Sequence, residues 1–210
     1  MKRSSTLFIC AVLAALCLQP VQGRDSTWQP LFNGSDFSGW HVIGKGEWLV
    51  RNGAIHGRMK RSEPAYGHLV TDREYADFVV RLKFRALQGN SGLYFRIDET
   101  GFSGVSGIQA EIDARVDVGG LYETNGRKWI VQPSADQVAA WFHPLEWNEL
   151  EVSAQGGHVV VRINGKVSAE VVNDTGRRTG RLALQIHGGK DCDVWFKDIA
   201  IRTLKQDSQP

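Results

Sequence analysis

From about residue 40 to residue 204 the chain runs as short stretches in which apolar and polar side chains alternate. The stretches are separated by Gly, Asn, Asp or Pro. A period of two with β-branched enrichment is the mark of half-buried strands, since successive side chains on a strand point to opposite faces. The pattern predicts strands at 47–50, 68–71, 77–86, 91–97, 108–114, 129–131, 147–154, 158–164, 166–171, 181–187 and 194–204. Many short strands with turn residues between them predict an all-β antiparallel sandwich. The firmest hairpin is VVVRI-NG-KVSAE, where Asn164-Gly165 supplies the positive φ angles of a two-residue turn. Gln155-Gly156-Gly157 marks the reversal before it. A single short helix is predicted at 134–141, where Ser134 and Gln137 have capping-box spacing and Ala139 and Ala140 favour helix.

Three of these strands carry a clean apolar face backed by a polar one. In GIQAEIDA, Ile108, Ala110 and Ile112 line one side, and Gln109, Glu111 and Asp113 the other. In NSGLYFR, the alternation separates Leu93, Phe95 and Ile97 from Gly92, Tyr94 and Arg96. In LALQIH, it separates Leu182, Leu184 and Ile186 from Ala183, Gln185 and His187. Each polar face is either a solvated exterior or, if the three converge, a site. Convergence makes Glu111 a candidate base, with Arg96 and His187 as cationic or proton-donating partners. Burial would raise a carboxyl pKa and a neighbouring guanidinium would lower it, so the base strength depends on geometry. Trp40, Trp147 and Trp195 sit in apolar strand or turn patterns and read as core. Trp129, following GGLYETNGRK, stands where a sugar ring could stack.

Composition changes this picture mainly at the N-terminus. Lys2 and Arg3 precede an apolar run from Thr6 to Leu18, and Val21-Gln22-Gly23 offers small groups for cleavage, so residues 1–23 read as a secretory signal. The run is short for a membrane span. Neither Cys10, after Ile9, nor Cys17, after Leu16, has the small-residue context of a lipid-attachment site. Residues 24–30 then form a linker, 31–204 the domain and 205–210 a polar tail. Removing the signal leaves Cys192 as the one cysteine and no internal disulfide. It also leaves 23 basic against 23 acidic residues. A near-neutral chain without a basic run argues against nucleic acid or an anionic membrane as partner, and for an uncharged substrate. Its oligomeric state is left open.

HExxH and CxxC spacings are absent, as is a phosphate-binding Gly-rich loop. EID on a strand resembles part of the laminarinase-type glycosidase motif, but the positions of that motif's third carboxylate hold Arg115 and Val116. A longer resemblance spans Leu31 to Leu204. LFNGSDFSGW, DFVVRLKFR, NSGLYFR, GIQAEID, GGLY, EWNELEV, INGKV, GRLALQIHGG and VWFKDIAIRTL together, in this order, resemble the 3-keto-disaccharide hydrolase domain family. The resemblance implies a concanavalin-like jelly-roll sandwich, export from a bacterial cell and action on glycosides whose ring carries a 3-ketone. Many members of that family read Glu-x-Gln where this chain has Gln109-Ala110-Glu111.

A 3-ketone acidifies the C2 proton, so one base can start a β-elimination that expels the C1 substituent, and water can then add back. In that scheme Glu111 is the base. Arg96 or His187 stabilises the enolate or donates to the leaving oxygen, and Asn90, Gln109, Asp113, Tyr122 and Gln185 hold sugar hydroxyls. A divalent metal could take the cation's place. The alternatives are a carbohydrate-binding module using the same groove without catalysis, and an interaction domain of a larger secreted assembly.

Overall fold

The structure, a computed structural model, describes residues 27–102 and 104–204. The predicted signal segment and the tail lie outside the described residues. Among the described residues fifteen strands and one helix follow one another. The first eight strands are β1 (Gln29–Pro30), β2 (Trp40–Gly44), β3 (Glu47–Arg51), β4 (Ala54–Met59), β5 (Gly67–Tyr75), β6 (Phe78–Gln88), β7 (Asn90–Thr100) and β8 (Gly104–Asp113). Then come β9 (Leu121–Thr124), β10 (Lys128–Val131), α1 (Ala135–Trp141), β11 (Asn148–Gln155), β12 (His158–Ile163), β13 (Lys166–Val171), β14 (Gly180–Ile186) and β15 (Cys192–Thr203).

All pairings are antiparallel, and they make two sheets. One runs β13-β12-β11-β6-β15-β4-β3, with β1 also on β15; the other runs β10-β9-β8-β7-β14-β5-β2. Their facing sides form one core. Leu82, Phe84, Val152, Val161, Phe196 and Ile201 from the first sheet belong to the same buried cluster as Leu93, Phe95, Ala110, Ile112, Leu184 and Ile186 from the second. This is the jelly-roll sandwich that the alternation and the motif order predicted, and its outer faces are free to carry polar chemistry.

The local predictions hold where turn chemistry was explicit. Asn164 (φ 49°) and Gly165 (φ 78°) both adopt left-handed backbone between β12 and β13. Ser134 caps α1 with both bonds of the capping box. Four strands escaped the pattern: β1, β2, β4 and β9. In β4 the alternation is interrupted by Gly57, and the reason is close packing. A Cβ there would stand 2.9 Å from Ile186 and from the Trp48 ring. Of the tryptophans read as core, Trp40 is buried, but Trp147 and Trp195 are only half-buried. They lie on the outer face of the larger sheet, where Arg85 stands over both rings and His56 stacks on Trp195 at 3.8 Å.

The alternation of β7 also breaks. A bulge between Phe95 and Asp98 shifts the register against β8, and Arg96 takes φ 51°. Ile97 therefore leaves the inner core that its spacing predicted. It joins Val70, Tyr94, Val105 and Ala183 in a separate apolar cluster.

Candidate functional site

The outer face of the seven-stranded sheet holds a cavity of about 470 Å³. Its floor consists of two cross-strand rows. In the first, His68 of β5 lies opposite Gln185 of β14, Gln185 opposite Gly92 of β7, and Gly92 opposite Glu111 of β8. In the second, Tyr94 of β7 lies opposite Gln109 of β8, Gln109 opposite Tyr122 of β9, and Tyr122 opposite Trp129 of β10. Residues far apart in the chain become neighbours because cross-strand partners on one face stand about 5 Å apart.

Glu111 closes the first row. Its backbone is fixed on the side away from β7, where its N–H donates to the Gly120 carbonyl and its carbonyl accepts from Gly119 N–H, both at 2.9 Å. The side chain is buried, and each carboxylate oxygen has one amide partner: Asn90 Nδ2 donates to Oε1 and Gln109 Nε2 to Oε2. Burial raises the Glu111 pKa to about 7. The two amides pull it down, and the nearby Asp113 and Asp117 charges push it further up. Near neutral pH this carboxyl therefore exists in both protonation states, the condition for a group that takes and returns a proton.

Gly92 makes room for this arrangement. A Cβ at that position would lie 2.7 Å from Gln109 Oε1. Gly92→Ala should displace the Gln109 amide from Glu111, and the loss of an anion-stabilising donor should lift the Glu111 midpoint above its present value near 7. Carboxyl-carbon NMR titration reads that shift directly, and an unchanged midpoint would mean the amide has settled elsewhere without loss.

At the lip, His187 follows β14, and its N–H donates to the Asn90 carbonyl at 3.2 Å. Its Nδ1 lies against the Gly188 carbonyl, which can only accept, so Nδ1 carries the hydrogen of the neutral ring. Nε2 then accepts from the Tyr66 hydroxyl at 3.0 Å. Burial lowers the His187 pKa, Lys190 lowers it further, and the Gly188 carbonyl and Asp113 oppose this. Burial raises the Tyr66 pKa, with smaller contributions from Tyr122 and Glu111, so its hydroxyl stays protonated.

The predicted residues separate accordingly. Glu111, His187, Asn90, Gln109, Tyr122, Trp129 and Gln185 all line the cavity. Trp129 stands edge-on to Tyr122 at 5.3 Å. Asp113 does not line it. Its Oδ1 accepts from the N–H groups of Arg115 and Val116 in the turn after β8, and its Oδ2 lies 3.4 Å from Asn90 Nδ2.

Arg96 is also elsewhere. The β7 bulge turns it into the loops, where its guanidinium donates to the carbonyls of Ala76, Gly156 and Arg177 and pairs with Asp77 at 3.0 Å. Sequence reasoning missed Tyr66, His68 and Lys190, which line the cavity too. His68 was findable, since it heads the strand that pairs with Gln185. Tyr66 and Lys190 sit in loops and left no periodic trace. Among the described residues no group of three or more His, Cys, Asp or Glu side chains is placed to hold a metal ion.

The profile of the 3-keto-α-glucoside-1,2-lyase-like domain family matches residues 27–202. The chain belongs to that family. No curated protein matches the sequence of this lyase-like domain. Among solved structures, a Parabacteroides distasonis protein provisionally described as a glycosyl hydrolase is 22% identical, with 85% of this chain and 94% of that chain covered and a TM-score of 0.64. A carbohydrate-binding module from Bacillus subtilis is 16% identical over 79% of this chain and 96% of the module, with a TM-score of 0.60. A B. subtilis protein of unknown function with a galectin-like fold is 14% identical over 86% of this chain and 96% of its own, with a TM-score of 0.65. At such identities these likenesses concern the fold of the lyase-like domain.

Proposed function

We propose that the protein is an exported enzyme that cleaves 3-keto-glycosides by β-elimination, with Glu111 as the base. The observation that carries this reading is the buried Glu111 carboxyl, raised to about 7 and held on the cavity floor by two amides. The carboxylate takes the C2 proton, and the C2–H electron pair moves to the C3 oxygen as an enolate. As the C3 carbonyl re-forms, C1=C2 forms and the C1–O bond breaks, and the leaving oxygen takes up a proton. Water can add at C1 while a proton returns to C2, which gives net hydrolysis.

With Arg96 held in the loops, the enolate needs another partner. The Tyr66 hydroxyl can turn from His187 to the C3 oxygen as charge develops there. Lys190 is the only Lys or Arg lining the cavity among the described residues, and it supplies positive charge at the lip. Asn90, Gln109, Gln185 and Tyr122 remain the groups for sugar hydroxyls. Export rests on the basic start and apolar run of residues 1–23, which lie outside the described residues.

The test is to incubate the protein with a 3-keto-glucoside and with its unoxidised parent, with and without a chelator. Sugar release is followed by chromatography and the enone by ultraviolet absorbance. Cleavage of the keto compound alone is expected; cleavage of neither would remove the catalytic reading. A second reading is a carbohydrate-binding module, favoured by the half-buried Trp129 beside Tyr122 on the cavity floor. It predicts sugar affinity without product.

A further inference from the structure

Buried polar atoms in a folded protein nearly always have a partner, so a cluster of exceptions calls for an explanation. Four such atoms belong to the floor of this cavity: both ring nitrogens of His68, Oε1 of Gln109 and Oε1 of Gln185. None has a hydrogen-bond partner among the described residues, and the three side chains are each at least 95% buried.

The acceptor-only carboxylate beside it sets the Gln109 amide orientation. Gln109 must turn its NH₂ toward the Glu111 carboxylate, which leaves its oxygen unpaired. Gln185 donates to the Tyr94 hydroxyl at 3.2 Å, and its oxygen is likewise left over. His68 is held neutral, its pKa lowered by burial to about 4, so its ring offers one N–H and one lone pair. The ring is bounded by Tyr66 and, edge-on, by Tyr94, neither of which hydrogen-bonds to it.

We propose that His68, with the free oxygens of Gln109 and Gln185, forms a hydroxyl-reading subsite that determines which sugar ring the enzyme accepts. The inference rests on the glycoside-cleaving reading of the same cavity and adds to it a recognition element joined to Glu111 only through the Gln109 amide. Amide oxygens can only accept, so what they select is a group that donates. A hydroxyl donates and a ketone does not. The unoxidised hydroxyls of the ring therefore face His68 and the glutamines, and the ketone faces the hydrogens that Tyr66 and Lys190 offer. Small rotations of the two glutamine side chains bring the buried atoms to the ligand. His68 is a specificity-determining residue here, present at the expense of a buried, unpaired ring.

That expense makes the idea testable. Removing a partner that a ligand needs weakens binding about tenfold, and removing an unpaired buried polar group does not destabilise the free protein. The experiment uses Glu111→Gln protein, so that nothing turns over. Methyl α-glucoside, its 3-keto derivative and their deoxy analogues are titrated calorimetrically against this protein with His68 intact, with His68→Leu, and with His68→Gln, which keeps a donor and an acceptor. With His68 intact, at least one deoxy analogue should bind about tenfold more weakly than its parent. His68→Leu should weaken the parents and erase that difference while holding or raising the thermal midpoint, and His68→Gln should recover part of the affinity. Equal affinities with and without His68, a lowered midpoint with unchanged affinity, or no binding of any glycoside would overturn the subsite. If deoxy discrimination depends on His68 but unmodified protein cleaves no 3-keto-glycoside, the subsite stands and the catalytic reading falls.

Discussion

Glu111→Gln is expected to lower turnover of a 3-keto-glucoside by about a thousandfold, within the range for loss of a positioned general base. The same substitution is expected to make the protein more stable at pH 8. Burial holds the Glu111 pKa above its ordinary 4.5, at about 7, so the folded protein favours the protonated carboxyl. The stabilisation linked to that raised pKa is fully present below about 4.5 and is lost as pH rises through about 7. Above that pH the buried carboxylate costs about 3 kcal/mol relative to the protonated form. An uncharged glutamine escapes this cost. Its amide can still pair with both neighbours, because its oxygen can keep the Gln109 donor while Asn90 turns its own amide oxygen toward the new NH₂. Activity and stability should therefore move in opposite directions. Chemical denaturation at pH 5 and pH 8 should reveal a gain confined to the higher pH, and the rate of the unmodified enzyme should rise through pH 7 as the base ionises. A large loss of stability on substitution, or a rate independent of pH between 5 and 8, would remove Glu111 as the base.

Arg96→Leu is expected to destabilise the fold by about 3–5 kcal/mol and to leave the turnover of the folded fraction nearly unchanged. The guanidinium is almost fully buried and makes contacts in three connections: the β5–β6 turn through Ala76 and Asp77, the β11–β12 turn through Gly156, and the β13–β14 loop through Arg177. Asp77 also accepts from Gly156 N–H at 2.9 Å. Removing the arginine leaves the Asp77 carboxylate without its cationic partner and several carbonyls without their donor, which is the costly way to break a buried pair. Since β5 and β14 belong to one sheet and β6, β11, β12 and β13 to the other, the clamp ties the two layers at one end of the sandwich. Thermal or urea unfolding with activity normalised to folded protein tests this. A stable variant with abolished turnover would return Arg96 to the reaction.

The contrast between these two residues shows what alternation can and cannot carry. Period-two patterning set Gln109 and Glu111, and likewise Gln185 and His187, on the side of their strands away from the core, correctly, because β8 and the end of β14 run regularly there. It failed at Arg96 because one bulge after Phe95 reverses every later side chain on that strand, and nothing in NSGLYFR announces it. Asp113 lies one step beyond the floor, where β8 ends and its carboxylate caps the turn. The four unrecognised strands were short or interrupted, and Gly57 in β4 reflects a close approach of Ile186 and Trp48 from elsewhere in the chain. Trp147 and Trp195 looked like core from the apolar strand and turn patterns around them, but cationic side chains on the outer face cover their rings instead. The floor rows were legible only in part, since they depend on which strands are neighbours and in what register. Tyr66 and Lys190 are held by loops, where side-chain direction follows no period.

The pairing of β1 with β15 bears on how such a domain can be attached to anything else. Gln29 lies opposite Ile201 and Pro30 opposite Ala200, so the chain enters and leaves the described sandwich side by side. Both points belong to the sheet that backs the cavity-bearing one. A tether, fusion partner or immobilising surface joined at either end would meet the protein from behind, and the mouth of the cavity would stay turned toward the medium.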